Sequence, residues 1–226
     1  MTGDASKDYW NEAARNNAAW YIATGHLSES AEFFDSGRRE VDEFLARYGV
    51  DVRSTDVLLE IGCGVGRMTR RLAELAGRVV ASDISGEMIS RARTNLADLH
   101  NIDYLEVTGN GDLDLADAAV NAVFSYITMQ HVPDAAVQER YFVESLRVLA
   151  PGGWALLQFR RSGALPRLLD WVGYLGHVLR GRKTLNRAWR GSRIKERTLR
   201  ALASETVTVD ILPFGRRHIW ALARKG

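Results

Sequence analysis

Between Thr55 and Phe159, short apolar runs alternate with stretches in which apolar residues recur every three or four positions. The runs Val57 to Ile61, Arg78 to Ser82, Tyr104 to Val107, Ala122 to Ile127 and Trp154 to Phe159 predict strands. The stretches Met68 to Leu75, Glu87 to Leu99 and Ala135 to Leu149 predict helices, with Gly77 stopping the first and Pro151-Gly152-Gly153 breaking the last. Continuously apolar strands alternating with amphipathic helices predict a parallel sheet covered on both faces.

Both flanks follow other patterns. The first 48 residues read as helical: one helix over Lys7 to Thr24, and a second from near Ser30 to Gly49. Phe33, Phe34, Val41, Phe44, Leu45 and Tyr48 form the apolar face of the second. Near the other end, Leu165, Leu168, Leu169, Val172, Leu175, Val178 and Leu179 mark an amphipathic helix. A short helix around Glu196 to Ala203 follows. Two β-rich runs, Thr206 to Leu212 and His218 to Ala223, then flank Pro-Phe-Gly-Arg-Arg, the signature of an antiparallel hairpin.

Composition narrows the class. A chain of 226 residues suits one domain, with or without an appendage. No window approaches the roughly 18 to 20 apolar residues of a membrane span, and the polar N-terminus lacks a signal-peptide core. The single cysteine, Cys63, excludes an internal disulfide and fits a reducing, cytoplasmic setting. No Cys/His cluster suggests a metal. The net charge of +2 conceals a segment from Arg160 to Arg200 with twelve Lys or Arg against Asp170 and Glu196. That segment is either a solvated basic surface or one that attracts an anionic substrate, carrier or membrane.

The chemistry concentrates in LLEIGCGVGRM and, beyond it, VVASDIS. A phosphate loop would need Lys-Ser or Lys-Thr after its last glycine, and none follows Gly66. A dinucleotide fingerprint would place its third glycine one residue later. Gly62, Gly64 and Gly66 therefore allow a sharp turn and close backbone approach without naming the ligand. Two carboxylates are more informative. Glu60, at the end of its strand, would repel a pyrophosphate but suits a cationic or zwitterionic group. Asp83, 23 positions on, stands where an acid accepts from both ribose hydroxyls. An adenosine bearing an amino-acid tail and no phosphate meets both conditions, which points to S-adenosylmethionine.

Four segments in order, LLEIGCGVGR, VVASDIS, VFSYITMQHV and RVLAPGGWALLQF, resemble the motifs of the Rossmann-like (class I) S-adenosylmethionine-dependent methyltransferases. The resemblance runs from about Asp51 to Arg224. YWNEAARNNAAWYI and the Gln-His-Val sequence look like small bacterial members acting on small molecules. It implies an α/β fold: a seven-stranded, mostly parallel sheet with an antiparallel C-terminal hairpin and helices on both faces. It also implies an N-terminal helical lid over 1–50 and a methyltransferase domain over 51–226, with a substrate-side insertion at about 163–191. That insertion would be a second lid, or would touch a membrane surface.

The resemblance also implies residue roles. Glu60 would lie near the methionine amino group, and Cys63 would be a small buried spacer. Ile84 would pack on adenine, while Ser85 and Glu87 cap the next helix. The family commonly has an acid after the third strand to accept from the adenine amino group. Here Asn110 falls at that position, beside Gly111, with Asp112 the alternative and the Leu113 amide a partner for a ring nitrogen. Ser125 and Tyr126 would border the methionine end, and Gln130 and His131 the acceptor. His131 is either a general base or structural. Tyr9, Trp10, Trp20 and Tyr21 form an aromatic cluster that would close the acceptor pocket. Arg160, Arg161, Arg216, Arg217 and His218 would bind an anionic acceptor group or remain solvated. The implied reaction moves a methyl group to a nitrogen or oxygen of a small-molecule acceptor, whether neutral, anionic or carrier-bound, releasing S-adenosylhomocysteine. RNA or protein as acceptor, and a non-methylating binder, are the rival readings; no RNA-binding module is recognised.

Overall fold

The structure, a computed structural model, describes residues 3–23, 26–162 and 191–226. Its strands are β1 (Val57–Ile61), β2 (Arg78–Asp83), β3 (Ile102–Glu106), β4 (Val120–Ser125), β5 (Leu149–Arg160), β6 (Val207–Phe214) and β7 (His218–Lys225). Its helices are α1 (Gly3–Ile22), α2 (Ala31–Tyr48), α3 (Thr69–Leu75), α4 (Gly86–Asn95), α5 (Ala135–Val148) and α6 (Glu196–Arg200). The strands form one sheet in the order β3-β2-β1-β4-β5-β7-β6. β1 to β5 run parallel, and β7 is antiparallel to both β5 and β6. The sheet is thus the one the sequence predicts.

Strand alternation builds two cores. Leu59, Ile61, Val123 and Leu157 face α5, where they pack with Phe142 and Val148. Leu58, Val79, Ala81, Phe124 and Leu156 face the layer of α2 and α3, joined by Phe44 and the fully buried Trp220. Tyr126 stacks on Trp220 with ring centroids 5.7 Å apart. Helix starts follow local chemistry: Ser30 Oγ accepts from Phe33 N, Ser85 Oγ from Met88 N, and Asp134 Oδ1 from Ala136 N.

Several boundaries differ from the sequence pattern. Helical geometry breaks at Asn17 (φ −166°, ψ 85°), whose Oδ1 accepts from Trp20 N at 3.0 Å and so caps the last part of α1. β5 begins at Leu149 and runs through Pro151-Gly152-Gly153, which the pattern reads as a break. The pairing shifts there, from Val120 with Leu149 to Ala122 with Trp154, so the surplus residues are absorbed as an irregularity inside the ladder. Pro213 and Phe214 belong to β6, leaving a tighter turn over 215–217. α4 stops at Asn95, four residues short of Leu99. The amphipathic stripe from Leu165 to Leu179 lies outside the described residues, as does most of the insertion at 163–191.

Candidate active site

The strand order reverses direction between β1 and β4, so their carboxyl ends open a crevice at that switch point. The loop leaving β1 bends back at once: Gly62 N and Cys63 N both donate to Ser82 O, at 2.7 and 2.9 Å. Gly62 has φ +82°, and a Cβ there would sit 2.0 Å from Thr128 Oγ1. Glycine is required on both counts.

Asp83 ends β2 facing this loop. Its Oδ2 accepts from Gly64 N at 2.9 Å and its Oδ1 from Ser85 N at 2.9 Å. Burial raises its pKa from the usual aspartate value, while backbone N–H groups, Ser85 and Gly64 first, oppose the shift. Glu60 is 4% exposed and accepts from Thr69 Oγ1 at 2.6 Å. Burial above all pushes its pKa up to about 7. Cys63 is buried, and burial first, then the charges of Asp83 and Glu60, push its thiol pKa well up.

These residues line a cleft whose empty space, open mouth included, is about 1050 Å³. Glu60, Gly62, Cys63, Gly64, Asp83, Ile84, Tyr126, His131, Trp10 and Tyr21, all marked by the sequence, meet there. Helix α1 covers one side and is fastened by polar contacts to the start of α4 and to β3. Asn11 Oδ1 accepts from Ser85 Oγ at 2.7 Å, Arg15 pairs with Glu87 at 2.9 Å, and Lys7 pairs with Glu106. Trp10 meets His131 edge-to-face with centroids 5.3 Å apart, and Gln130 Nε2 lies 3.1 Å from His131 Nε2.

The other marked residues stand outside the cleft lining. Tyr9 packs on Trp10 and Tyr21, its phenol pushed up to about 12 by burial. Ser125 Oγ donates to Ile61 O at 2.8 Å, bracing β1 against β4 from below. Gln130 touches His131 instead of the cleft. Asn110 closes a turn on itself, with Oδ1 accepting from Thr108 Oγ1 and Asp112 N; it is exposed and is not among the lining residues. Gly111 is packed under Arg140, and Leu113 N donates to Glu144 Oε2. Arg160 and Arg217 lie where β5 meets the β6–β7 turn; Arg161 N donates to Arg217 O there. Beside them burial, then the charges of Arg160 and Arg217, lower the His218 pKa to about 4.

The cleft also recruits residues the sequence reading passes over. Arg67, 4% exposed, donates to Glu40 Oε2 at 2.8 Å and Ser36 Oγ at 3.2 Å, locking the glycine loop to α2. Its place directly after the third glycine is the only signal it gives. Ile127 lines the cleft at φ +57°, a conformation a β-branched residue rarely adopts; its N–H donates to the buried Gln158 Oε1 at 3.2 Å. Tyr141 reaches the cleft from α5. Among the described residues no group of three or more His, Cys, Asp or Glu could hold a metal ion, and no helix is long and apolar enough to cross a membrane.

Residues 59–157 match the family described as "Methyltransferase domain". Phosphoethanolamine N-methyltransferase 1 of Triticum aestivum is 29% identical over 175 residues, 74% of this chain and 33% of that protein. Malonyl-[acyl-carrier protein] O-methyltransferase of Serratia marcescens is 34% identical over 152 residues, 64% of this chain and 54% of that protein. The chain thus spans about a third and about half of the lengths of these two relatives. N-methyltransferase NodS from Bradyrhizobium japonicum, solved with S-adenosylhomocysteine, shares the fold with TM-score 0.64 and 16% identity over 98% of this chain and 99% of that one. Sheet order and family match agree: residues 59–157 match a methyltransferase domain, and the chain has the fold of N-methyltransferase NodS.

Proposed function

We propose that this chain transfers a methyl group from S-adenosylmethionine to a nitrogen or oxygen of a small-molecule acceptor. The observation that carries the reading is Asp83. Its two oxygens are fixed by the Gly64 and Ser85 amides at the mouth of the cleft, as a carboxylate must be to accept from a vicinal diol. The donor set fits the rest of the cofactor. Ile84 and Val107 offer an apolar wall for a base, and the Gly62–Gly64 backbone admits close approach. The buried Glu60 suits an ammonium group. Bound there, the cofactor would supply an electrophilic methyl on a sulfonium.

The chain's own residues then divide the work. Trp10 and Tyr21 on α1 wall off the acceptor side and exclude water. His131, held against Trp10, takes the proton that an amine or hydroxyl acceptor must lose. Orientation supplies much of the rate, because the acceptor lone pair has to align with the breaking bond. In this reading residues 1–50 act as a lid and the protein works in the cytoplasm. The relatives named above include an N- and an O-methyltransferase, and the nitrogen-or-oxygen statement stands at that breadth. The basic segment from Arg160 to Arg200 supports an anionic or carrier-bound acceptor.

Calorimetric titration with S-adenosylmethionine and S-adenosylhomocysteine tests the cofactor. Mass spectrometry of an acceptor panel with methyl-labelled cofactor tests the transfer. Absence of binding by both cofactor forms, or unchanged binding in Asp83→Ala, sinks the reading.

A further inference from the structure

The base-binding end of the cleft lacks the polar partners that the chain order suggests. Asn110 spends its amide locally: Oδ1 accepts from Thr108 Oγ1 at 2.8 Å and Asp112 N at 2.9 Å, and Nδ2 donates to Asp112 Oδ2 at 2.8 Å. The Leu113 N–H is likewise engaged, by Glu144 Oε2 at 3.3 Å. Beyond Asp83, this end of the cleft is walled by the side chains of Ile84 and Val107 and the backbone of Gly109. An adenine ring presents nitrogens that accept and an amino group that donates. Apolar walls alone would leave those atoms without partners, which is costly once water is displaced.

A side chain from the other layer answers this need. Tyr141, on α5, is 4% exposed and lines the cleft. Its ring packs in the core shared by Val107, Leu113 and Phe142, while its hydroxyl makes no hydrogen bond with any described residue. A tyrosine hydroxyl at a cleft can serve a ligand as donor and as acceptor. Burial first, then the charges of Asp83 and Asp112, raise the phenol pKa, which keeps the group protonated and able both to donate and to accept. Its position is firmly set. Three residues earlier on the same helix face, Gln138 Nε2 donates to Met129 O at 2.7 Å and to Val132 O at 3.3 Å, clamping α5 to the turn that carries His131.

Resting on the function proposed above, we propose that the Tyr141 hydroxyl is the group that hydrogen-bonds the adenine ring, in the role the chain order gives to Asn110. Recognition of the base would then come from α5, which packs directly against the loop that follows β3.

Tyr141→Phe removes one oxygen and keeps the ring. It should weaken S-adenosylhomocysteine binding about three- to tenfold, the worth of one buried hydrogen bond, with an unchanged melting curve. The same titration is repeated with the 1-deaza, 3-deaza, 7-deaza and 6-deamino forms of S-adenosylhomocysteine. At least one should bind the wild-type protein several-fold more weakly than the parent, and that penalty should vanish in Tyr141→Phe. A merely structural role would lower affinity for all five ligands alike and leave every penalty in place. Wild-type affinity in Tyr141→Phe, or persistence of all penalties, overturns the assignment. Failure of the wild-type protein to bind S-adenosylhomocysteine is seen without any variant, and overturns the cofactor reading together with this one.

Discussion

Asn11 Oδ1 accepts a hydrogen bond from Ser85 Oγ at 2.7 Å, and Ser85 is also the N-cap of α4 and a backbone donor to Asp83. One short polar chain therefore links the covering helix α1 to the carboxylate assigned to the ribose. Asn11→Ala should cost about 1 kcal/mol of stability, the net worth of one such bond. It should also raise the cofactor dissociation constant by a few-fold. Denaturant titration and calorimetry check the two effects; a stability loss with wholly unchanged affinity would disconnect α1 from the site.

Glu60 gives the chain a defined pH signature. Its carboxyl titrates at about 7 in the folded state, against 4.5 for an ordinary glutamate, chiefly because it is buried. Between those values the folded chain holds a proton that the unfolded chain has released. The penalty is absent below the lower value, grows as pH rises through the window, and is complete above about 7. Glu60→Gln lacks this group. Its stability relative to wild type should therefore rise by on the order of 3 kcal/mol between about pH 4 and pH 8. Urea titrations of both proteins across that range test this, and a pH-independent difference would refute it.

His131→Ala should lower kcat by about a hundredfold, the lower range for loss of a general base. The affinity for S-adenosylhomocysteine should stay within about threefold, since the acceptor end and not the cofactor end is altered. A kcat near the wild-type value would leave His131 as a packing partner of Trp10.

Gly191 has φ +54°, and a Cβ there would fall 1.8 Å from the backbone oxygen of Gln130. Gly191→Ala should destabilise the fold by at least about 1 to 3 kcal/mol, the scale of backbone strain at such sites. It should also lower activity by displacing the turn of His131. Gly215→Ala is the control: φ there is +65° but nothing lies within 4 Å of the added carbon. Equal effects from both would show strain alone to be responsible.

Much of this architecture was legible in the residues. Strands such as Val57–Ile61 are apolar except at Glu60, because both faces of the sheet are covered, and that leaves a strong signal. Ser30 and Ser85 announce helix starts by their own chemistry. Glu60 and Asp83 stand out as carboxylates at strand ends. What escaped depends on three-dimensional contact. Asn110 reads as a ligand group by order alone, yet an Asn two residues before an amide can satisfy itself locally. Tyr141 sits on the apolar face of a helix and reads as core until the cleft is seen to reach its ring. The left-handed Ile127 and the passage of β5 through two glycines contradict local preference, and only the neighbouring strands impose them.

The lining of the cleft spans the chain from Ser6 to Tyr141. A ligand held there engages only the assembled fold, so its binding free energy adds to the free energy of folding. Each further tenfold rise in ligand above its dissociation constant would add about 1.4 kcal/mol to the stability of the fold, about tenfold in unfolded population. A cell short of the cofactor would then hold less of the protein as well as running it more slowly, and abundance would follow supply without any dedicated sensor.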